Sequence, residues 1–145
     1  MYFDDLPVGY TFETKTRTLS ESDILTFARQ WDPQYFHTDP EAAKSSPYGG
    51  LIASVFHTML TAFNLILEAN IWNDASMRSP GMENLRWIRP VRPGDTLRVE
   101  AEVTSSTPSK SRSDRGRTDF QHRVLNQNDE VVMTYNCVNI LARCP

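Results

Sequence analysis

The sequence predicts an α+β fold in which a curved antiparallel sheet wraps one long helix. An apolar periodic stretch from Leu51 to about Asn70 covers more than one helix face, so it must be enclosed. Four strand-like segments follow it, with no alternation of strand and helix and no repeat of fixed period. The length, 145 residues, is that of one ordinary domain, so we expect a single domain over residues 1–145.

The N-terminal third predicts a strand, a helix and a loop. Residues 11–19, "TFETKTRTL", alternate and are rich in threonine, which favours a strand. Ser20 is a good N-cap for the helix that follows. Asp32-Pro33 ends this helix, because the residue before a proline is disfavoured in the α region. Its apolar stripe recurs at i, i+3, i+4 and i+7 and consists of Ile24, Phe27, Ala28 and Trp31. Pro40 then predicts a short helix that ends by residues 47–50.

The C-terminal half predicts the sheet. Its second strand alternates apolar and charged residues, as a strand with one buried face does. Pro93-Gly94-Asp95 and residues 126–129 provide turns between strands. A sheet of this kind has exposed edges, which favours pairing with a second copy. The four strand segments are "ENLRWIRPV", "DTLRVEAEVTSS", "TDFQHRVLN" and "EVVMTYNCVNIL".

Composition excludes several classes of function. The chain has 15 basic and 18 acidic residues, a formal charge of −3, so it lacks the cationic excess of nucleic-acid binders. Polar residues interrupt the long helix before roughly 20 apolar residues accumulate, so no membrane span is expected. The acidic N-terminus is unlike a secretory signal, and Cys137 and Cys144 form neither a C-x-x-C pair nor a metal-ligand spacing. We therefore expect a cytoplasmic protein.

The loop "DPQYFHTDP", residues 32–40, is the main candidate for chemistry. Asp32 follows a helix C-terminus, where the helix dipole disfavours ionisation of a carboxylate. His37 has the side chain best suited to giving and taking a proton near neutrality, and the two could hold one water between them. On spacing alone, however, a proline-rich turn with a structural histidine is the commoner outcome. His57 and His122 are expected to be structural, and His37 with Asp39 is too small a set for a metal site.

Longer stretches resemble a known family. "FARQWDPQYFHTDPEAA", "GGLIASVFHTML" and "LRWIRPVRPGDTLRVEAEV" resemble the MaoC-like acyl dehydratases of the hot-dog superfamily, relatives of (R)-specific enoyl-CoA hydratases. Asp32 and His37 match the family's catalytic pair. Trp31 stands where glycine is common, Gln34-Tyr35 where Asn-Pro is usual, and Ser54-Val55 where the family has His-Gly.

The resemblance implies a hot-dog fold, with the long helix wrapped by the sheet, in a homodimer or a dimer of dimers. It implies that the Asp32 and His37 side chains activate water and that the backbone N–H of Val55 polarises the thioester carbonyl. No cofactor is implied, since the acyl thioester of CoA or of an acyl carrier is the substrate. The further substrate-binding candidates are Gln34, Ser54, Phe56, Arg112 and Arg115.

Two other functions remain open at this point. A hot-dog thioesterase would direct water or a carboxylate at the carbonyl carbon, whereas the Asp-x-x-x-x-His spacing favours the hydratase. A non-catalytic acyl-thioester-binding module is the second alternative, because one fold hosts many functions. Release of free thiol would identify the first, and binding without turnover the second.

Overall fold

A computed structural model describes residues 1–145 and shows one antiparallel sheet packed on one long helix. The strand order is β1-β4-β5-β6-β3, and the two-residue β2 also pairs with β4. All neighbouring strands are antiparallel. The strands are β1 Thr11–Glu13, β2 Arg17–Thr18, β3 Ser76–Trp87, β4 Thr96–Pro108, β5 Arg115–Leu125 and β6 Val131–Ala142.

Four α-helices lie on the sheet or connect to it. Ser20 begins α1 with a capping box, as the sequence predicts: its hydroxyl accepts from the Asp23 N–H, and its own N–H donates to the Asp23 carboxylate. Ser54 caps the long helix α4, and Asn70 ends it in the left-handed conformation. The helices are α1 Glu21–Trp31, α2 Tyr35–Thr38, α3 Pro40–Ala43 and α4 Val55–Ala69, with short 3-10 turns at Phe3–Asp5 and Asn73–Ala75.

The core lies between the concave face of the sheet and α4. The predicted alternation in β4 is confirmed, because its apolar side chains all point inward. His122 on β5 also points inward and is 2% exposed. Its neighbour Phe120 stacks on Trp72 in the same layer. The inward residues of β4 are Leu97, Val99, Ala101 and Val103.

Element boundaries differ from the prediction at three places. The long helix begins at Val55 rather than Leu51, because Leu51–Ser54 are extended and bonded to other segments: the Ile52 N–H donates to Phe36 O and the Ala53 N–H to Val91 O. β3 begins at Ser76, seven residues before the first predicted strand. The strand predicted over 11–19 is divided in two, since Thr14 leaves the ladder to bond Val99 through its main chain and its hydroxyl.

The largest apolar residues of α4 do not face the sheet. The side facing the sheet carries small and medium residues such as Thr61 and Leu65, whereas the opposite side carries an exposed apolar row. The prediction that the chain itself encloses this helix is therefore wrong for one side of it. Trp31, predicted to lie on the buried stripe of α1, is also 68% exposed. The row on α4 consists of Phe56, Leu60, Phe63 and Leu67, which are 39–52% exposed.

None of the helices is both long enough and apolar enough to cross a membrane.

Candidate functional site

The loop after α1 is a tight, hydrogen-bonded turn. Asp32 ends the helix with φ −150° and ψ 69°, values outside the helical region. The Gln34 N–H donates to the Asp32 carbonyl at 2.8 Å, and the His37 N–H donates to the Gln34 carbonyl at 2.9 Å. The four-residue helix α2 thus starts immediately after the acid and carries the histidine. Its existence was not predicted, and it fixes the relative positions of the two side chains.

Asp32 and His37 contact each other directly. Oδ2 of Asp32 lies 3.3 Å from Nε2 of His37, and the two side chains are 13% and 5% exposed. The ring of Phe36 packs edge-on against the imidazole, with ring centres 4.5 Å apart. The pair is therefore a fixed, largely buried unit and not two solvated turn residues.

A main-chain carbonyl determines the tautomer of the histidine. Nδ1 of His37 lies 2.7 Å from the carbonyl oxygen of Ile52, which can only accept, so Nδ1 carries a hydrogen. In a neutral ring the lone pair of Nε2 would then face a carboxylate oxygen of Asp32. Two acceptors cannot bond each other, but a proton taken up between Nε2 and Oδ2 would bond both side chains.

The Asp32 carboxyl favours the ionised form. Burial raises its pKa, but the hydrogen bonds from Gln34 and Ser54 and the charge of His37 outweigh burial, so the pKa lies below its usual value. The expectation that the α1 dipole would disfavour ionisation is thus wrong in its net direction.

The start of α4 presents a free backbone donor. Ser54 is completely buried, and its Oγ accepts from the Phe56 N–H at 3.3 Å. The Val55 N–H has no acceptor within the chain. Free N–H groups in the first turn of a helix attract negative charge. The Ile52 carbonyl, which faces Nδ1 of His37, lies three residues before this donor, so the donor and the acid–histidine pair adjoin the same segment.

A mostly apolar cleft of about 220 Å³ opens beside Val55. Its walls come from four segments: the loop before α4, the first turn of α4, the end of β3 with the chain that follows it, and Val132 of β6. The ring of Trp87 at its edge makes an edge-to-face contact with Phe56, with centres 6.2 Å apart. The lining includes Tyr48, Ile52, Val55, Trp87, Ile88 and Val91.

The other sequence candidates divide into two groups. Gln34 donates to Oδ1 of Asp32 at 2.7 Å, and Phe56 stands half-exposed beside the cleft. Arg112 and Arg115 lie at the β4–β5 hairpin, at the far end of a 13-residue strand, roughly 40 Å along that strand from its site end. Arg115 is paired there with Asp114 at 2.8 Å. Within one chain, neither arginine joins the site, so their substrate-binding role is not supported.

The role of Ile52 was missed from the sequence. Every residue has a main-chain carbonyl, so residue type does not identify this role. Only a prediction that residues 51–54 are extended could have indicated it. No group of three or more His, Cys, Asp or Glu side chains comes together as possible metal ligands.

The family model for the MaoC-like domain matches residues 5–125. The chain is 34% identical over 111 residues to the uncharacterized protein YdeM of Bacillus subtilis, covering 77% of this chain and 79% of that one. A MaoC-like dehydratase from Rhodospirillum rubrum has a similar structure, with a TM-score of 0.94, 38% identity and coverage of 100% and 99%.

Two further solved structures bear on the fold and the chemistry. The R-hydratase PhaJ1 from Pseudomonas aeruginosa has a TM-score of 0.72 and 27% identity, with coverage of 99% of this chain and 86% of that one. A Mycobacterium tuberculosis protein described as a double hot-dog fold has a TM-score of 0.82 at 22% identity, covering 100% and 45%. The predicted hot-dog fold is confirmed.

Proposed function

Because the chain belongs to the MaoC-like domain family, we propose that it hydrates a 2-enoyl thioester, or dehydrates the corresponding 3-hydroxyacyl thioester. One observation carries this proposal: a carboxylate oxygen of Asp32 lies 3.3 Å from Nε2 of His37, and the carbonyl that faces Nδ1 of the same ring lies three residues before the free Val55 N–H. Addition of water to a double bond needs a base for the water and an acid for the carbon. The pair provides both.

In the hydration direction, the Asp32 carboxylate takes a proton from water as the water oxygen bonds to C3 of the substrate. The C2–C3 π electrons move toward the thioester, and the negative charge develops on its carbonyl oxygen. The Nε2–H of His37 then gives its proton to C2. Transfer of the proton from Oδ2 of Asp32 to Nε2 of His37, over 3.3 Å, restores the starting state. The reverse sequence eliminates water.

The Val55 N–H stabilises the developing oxyanion in this scheme. It belongs to the first residue of α4, so the helix end adds a favourable partial charge. The apolar cleft beside it is suited to the acyl group, because its walls are mostly hydrophobic. CoA or an acyl carrier would deliver the thioester, and no step requires a cofactor.

We also propose that two copies form a homodimer. The exposed row of α4 lies opposite the sheet, and one chain provides nothing to cover it. β3 is the last strand of the sheet, and almost all its residues are exposed, including Met77, Met82 and Trp87. A second copy would cover both surfaces through one contact, since α4 and β3 already meet through Phe56 and Trp87.

The test is to incubate the purified protein with short and medium 2-enoyl-CoA esters and to follow loss of the conjugated double bond and release of free thiol in parallel. We expect loss of the double bond without thiol. Asp32→Asn and His37→Ala should each lower kcat by about 10²–10⁴ while leaving the circular dichroism spectrum unchanged. Full activity in both variants would contradict the assignment, and thiol release would indicate a thioesterase.

A further inference from the structure

Gln34 has an unusual relation to its own helix. It occupies the N-cap position of α2, where a side chain normally accepts from the N–H groups of the first turn. The Gln34 side chain makes no such bond. Instead, its amide turns back and donates to Oδ1 of Asp32 at 2.7 Å. Capping therefore does not explain this side chain.

Gln34 is held in place independently of that bond. Its N–H donates to the Asp32 carbonyl at 2.8 Å, and its carbonyl accepts from the His37 N–H at 2.9 Å and from the Thr38 hydroxyl at 3.1 Å. Pro33 restricts the chain between the acid and Gln34. The amide thus starts from a backbone that the hydrogen bonds of the loop hold in place.

The two oxygens of Asp32 have different neighbours. Oδ1 accepts from Gln34, whereas Oδ2 faces Nε2 of His37 at 3.3 Å. Occupation of Oδ1 fixes the rotation of the carboxylate about its terminal bond, which directs Oδ2 at the imidazole. A donor on Oδ1 also stabilises the Asp32 anion and so helps to lower the pKa of this carboxyl.

We infer that Gln34 is a positioning residue: by holding Oδ1 of Asp32, its amide aims Oδ2 of the carboxylate at Nε2 of His37. The inference rests on the proposed function for its kinetic part only. It replaces the substrate-contact role that the sequence suggested for Gln34.

The experiment compares wild-type protein with Gln34→Met, which keeps the length of the side chain without the amide, and with Gln34→Glu, which places a second carboxylate beside Asp32. The control is Gln121→Met on the exposed face of β5, remote from the loop. Two readouts are taken on each protein: the pH profile of kcat and KM for a 2-enoyl-CoA, and the ¹³C NMR titration of the Asp32 carboxyl carbon.

For Gln34→Met, we expect the acid limb of kcat and the NMR midpoint of Asp32 to move up together by about 0.5–1 pH unit, the effect of one lost hydrogen bond to a partly solvated anion. KM and the plateau rate should change less than about threefold. Gln34→Glu should move both midpoints further, because two adjacent carboxylates cannot both ionise freely. Gln121→Met should match wild type.

Two results would overturn the inference. A raised KM with both midpoints unmoved would make Gln34 a substrate contact. A fall in rate and melting temperature with both midpoints unmoved would make its role merely structural. If wild-type protein turns over no enoyl thioester, the proposed function fails, and the NMR midpoint alone then decides the role of Gln34.

Discussion

At the scale of single residues, the chemistry of the site depends on atoms that bond from both sides of the pair. The Ile52 carbonyl requires a hydrogen on Nδ1 of His37, and the Gln34 amide occupies Oδ1 of Asp32. Only Nε2 and Oδ2 remain to share a proton. The acid and the base are thus defined by their neighbours as much as by their own side chains.

His122 is the second residue whose surroundings determine its charge. It lies in the core beside Tyr135, with ring centres 4.6 Å apart, and neither of its ring nitrogens has a hydrogen-bond partner. Burial lowers its pKa to about 3, so it stays neutral in the folded protein. The unfolded chain binds a proton near the ordinary histidine value of 6.5, so acid favours unfolding.

Buried His122 therefore predicts that the free energy of unfolding depends on pH, and His122→Phe should make this dependence smaller. The contribution of neutral His122 is fully present above pH 6.5 and is lost as pH falls toward 3. Between pH 6.5 and 5, protonation of His122 in the unfolded chain should lower the free energy of unfolding of wild-type protein by about 2 kcal/mol. Urea denaturation at both pH values measures this loss in each protein. Equal losses in wild type and in His122→Phe would show that another group is responsible.

At the scale of elements, the segment before α4 and the first turn of α4 build the site. Leu51–Ser54 stay extended and bond to Phe36 of α2 and to Val91, which places the Ile52 carbonyl against the imidazole of His37. Val55 then opens the helix with its N–H free. A helix beginning four residues earlier would have used these groups internally.

Val55→Pro tests the role of that N–H. Proline is well tolerated at the first position of a helix, and Ser54 already has ψ 139°, which suits the residue before a proline. The variant should fold, yet its kcat should fall by about 10²–10³, the usual cost of one lost oxyanion donor.

Val55→Ala is the matched control, because it removes the branched side chain and keeps the N–H. It should retain most of the wild-type kcat. A similar loss in both variants would assign the effect to the side chain in the cleft.

At the scale of the whole molecule, one chain leaves a continuous apolar surface uncovered. It runs from the far side of α4 to β3 and includes Phe63, Leu60 and Trp87. Large exposed apolar surfaces of this kind mark protein contacts. The proposed homodimer assigns this surface to a second copy of the chain.

Phe63→Asp tests the homodimer. A charge at the centre of a buried contact should weaken association by at least about tenfold. Sedimentation equilibrium over a range of concentrations measures the change. Val8→Asp is the control, since Val8 is 63% exposed and lies outside this surface. A monomeric wild-type protein, or equal association in all three proteins, would contradict the proposal.

The sequence predicted which segments form strands better than it predicted where those strands begin and end. The alternation of Leu97 and Val99 with charged neighbours identified β4, because a half-buried strand leaves a period of two. The first seven residues of β3 show no such alternation, since that strand is exposed on both faces. His122 was expected to be structural, but its polarity gave no indication that it would lie in the core.

By itself, the sequence determined that the chain folds as an antiparallel sheet around one helix. It also indicated which acid and which histidine are the catalytic candidates. Periodicity and residue type are local properties, so they can be obtained from neighbours along the chain. Only the tertiary structure decided that Asp32 and His37 touch, that Ile52 sets the tautomer, and that Arg112 and Arg115 lie elsewhere. These are relations between distant segments, and hydrogen bonds to main-chain atoms leave no mark on residue identity.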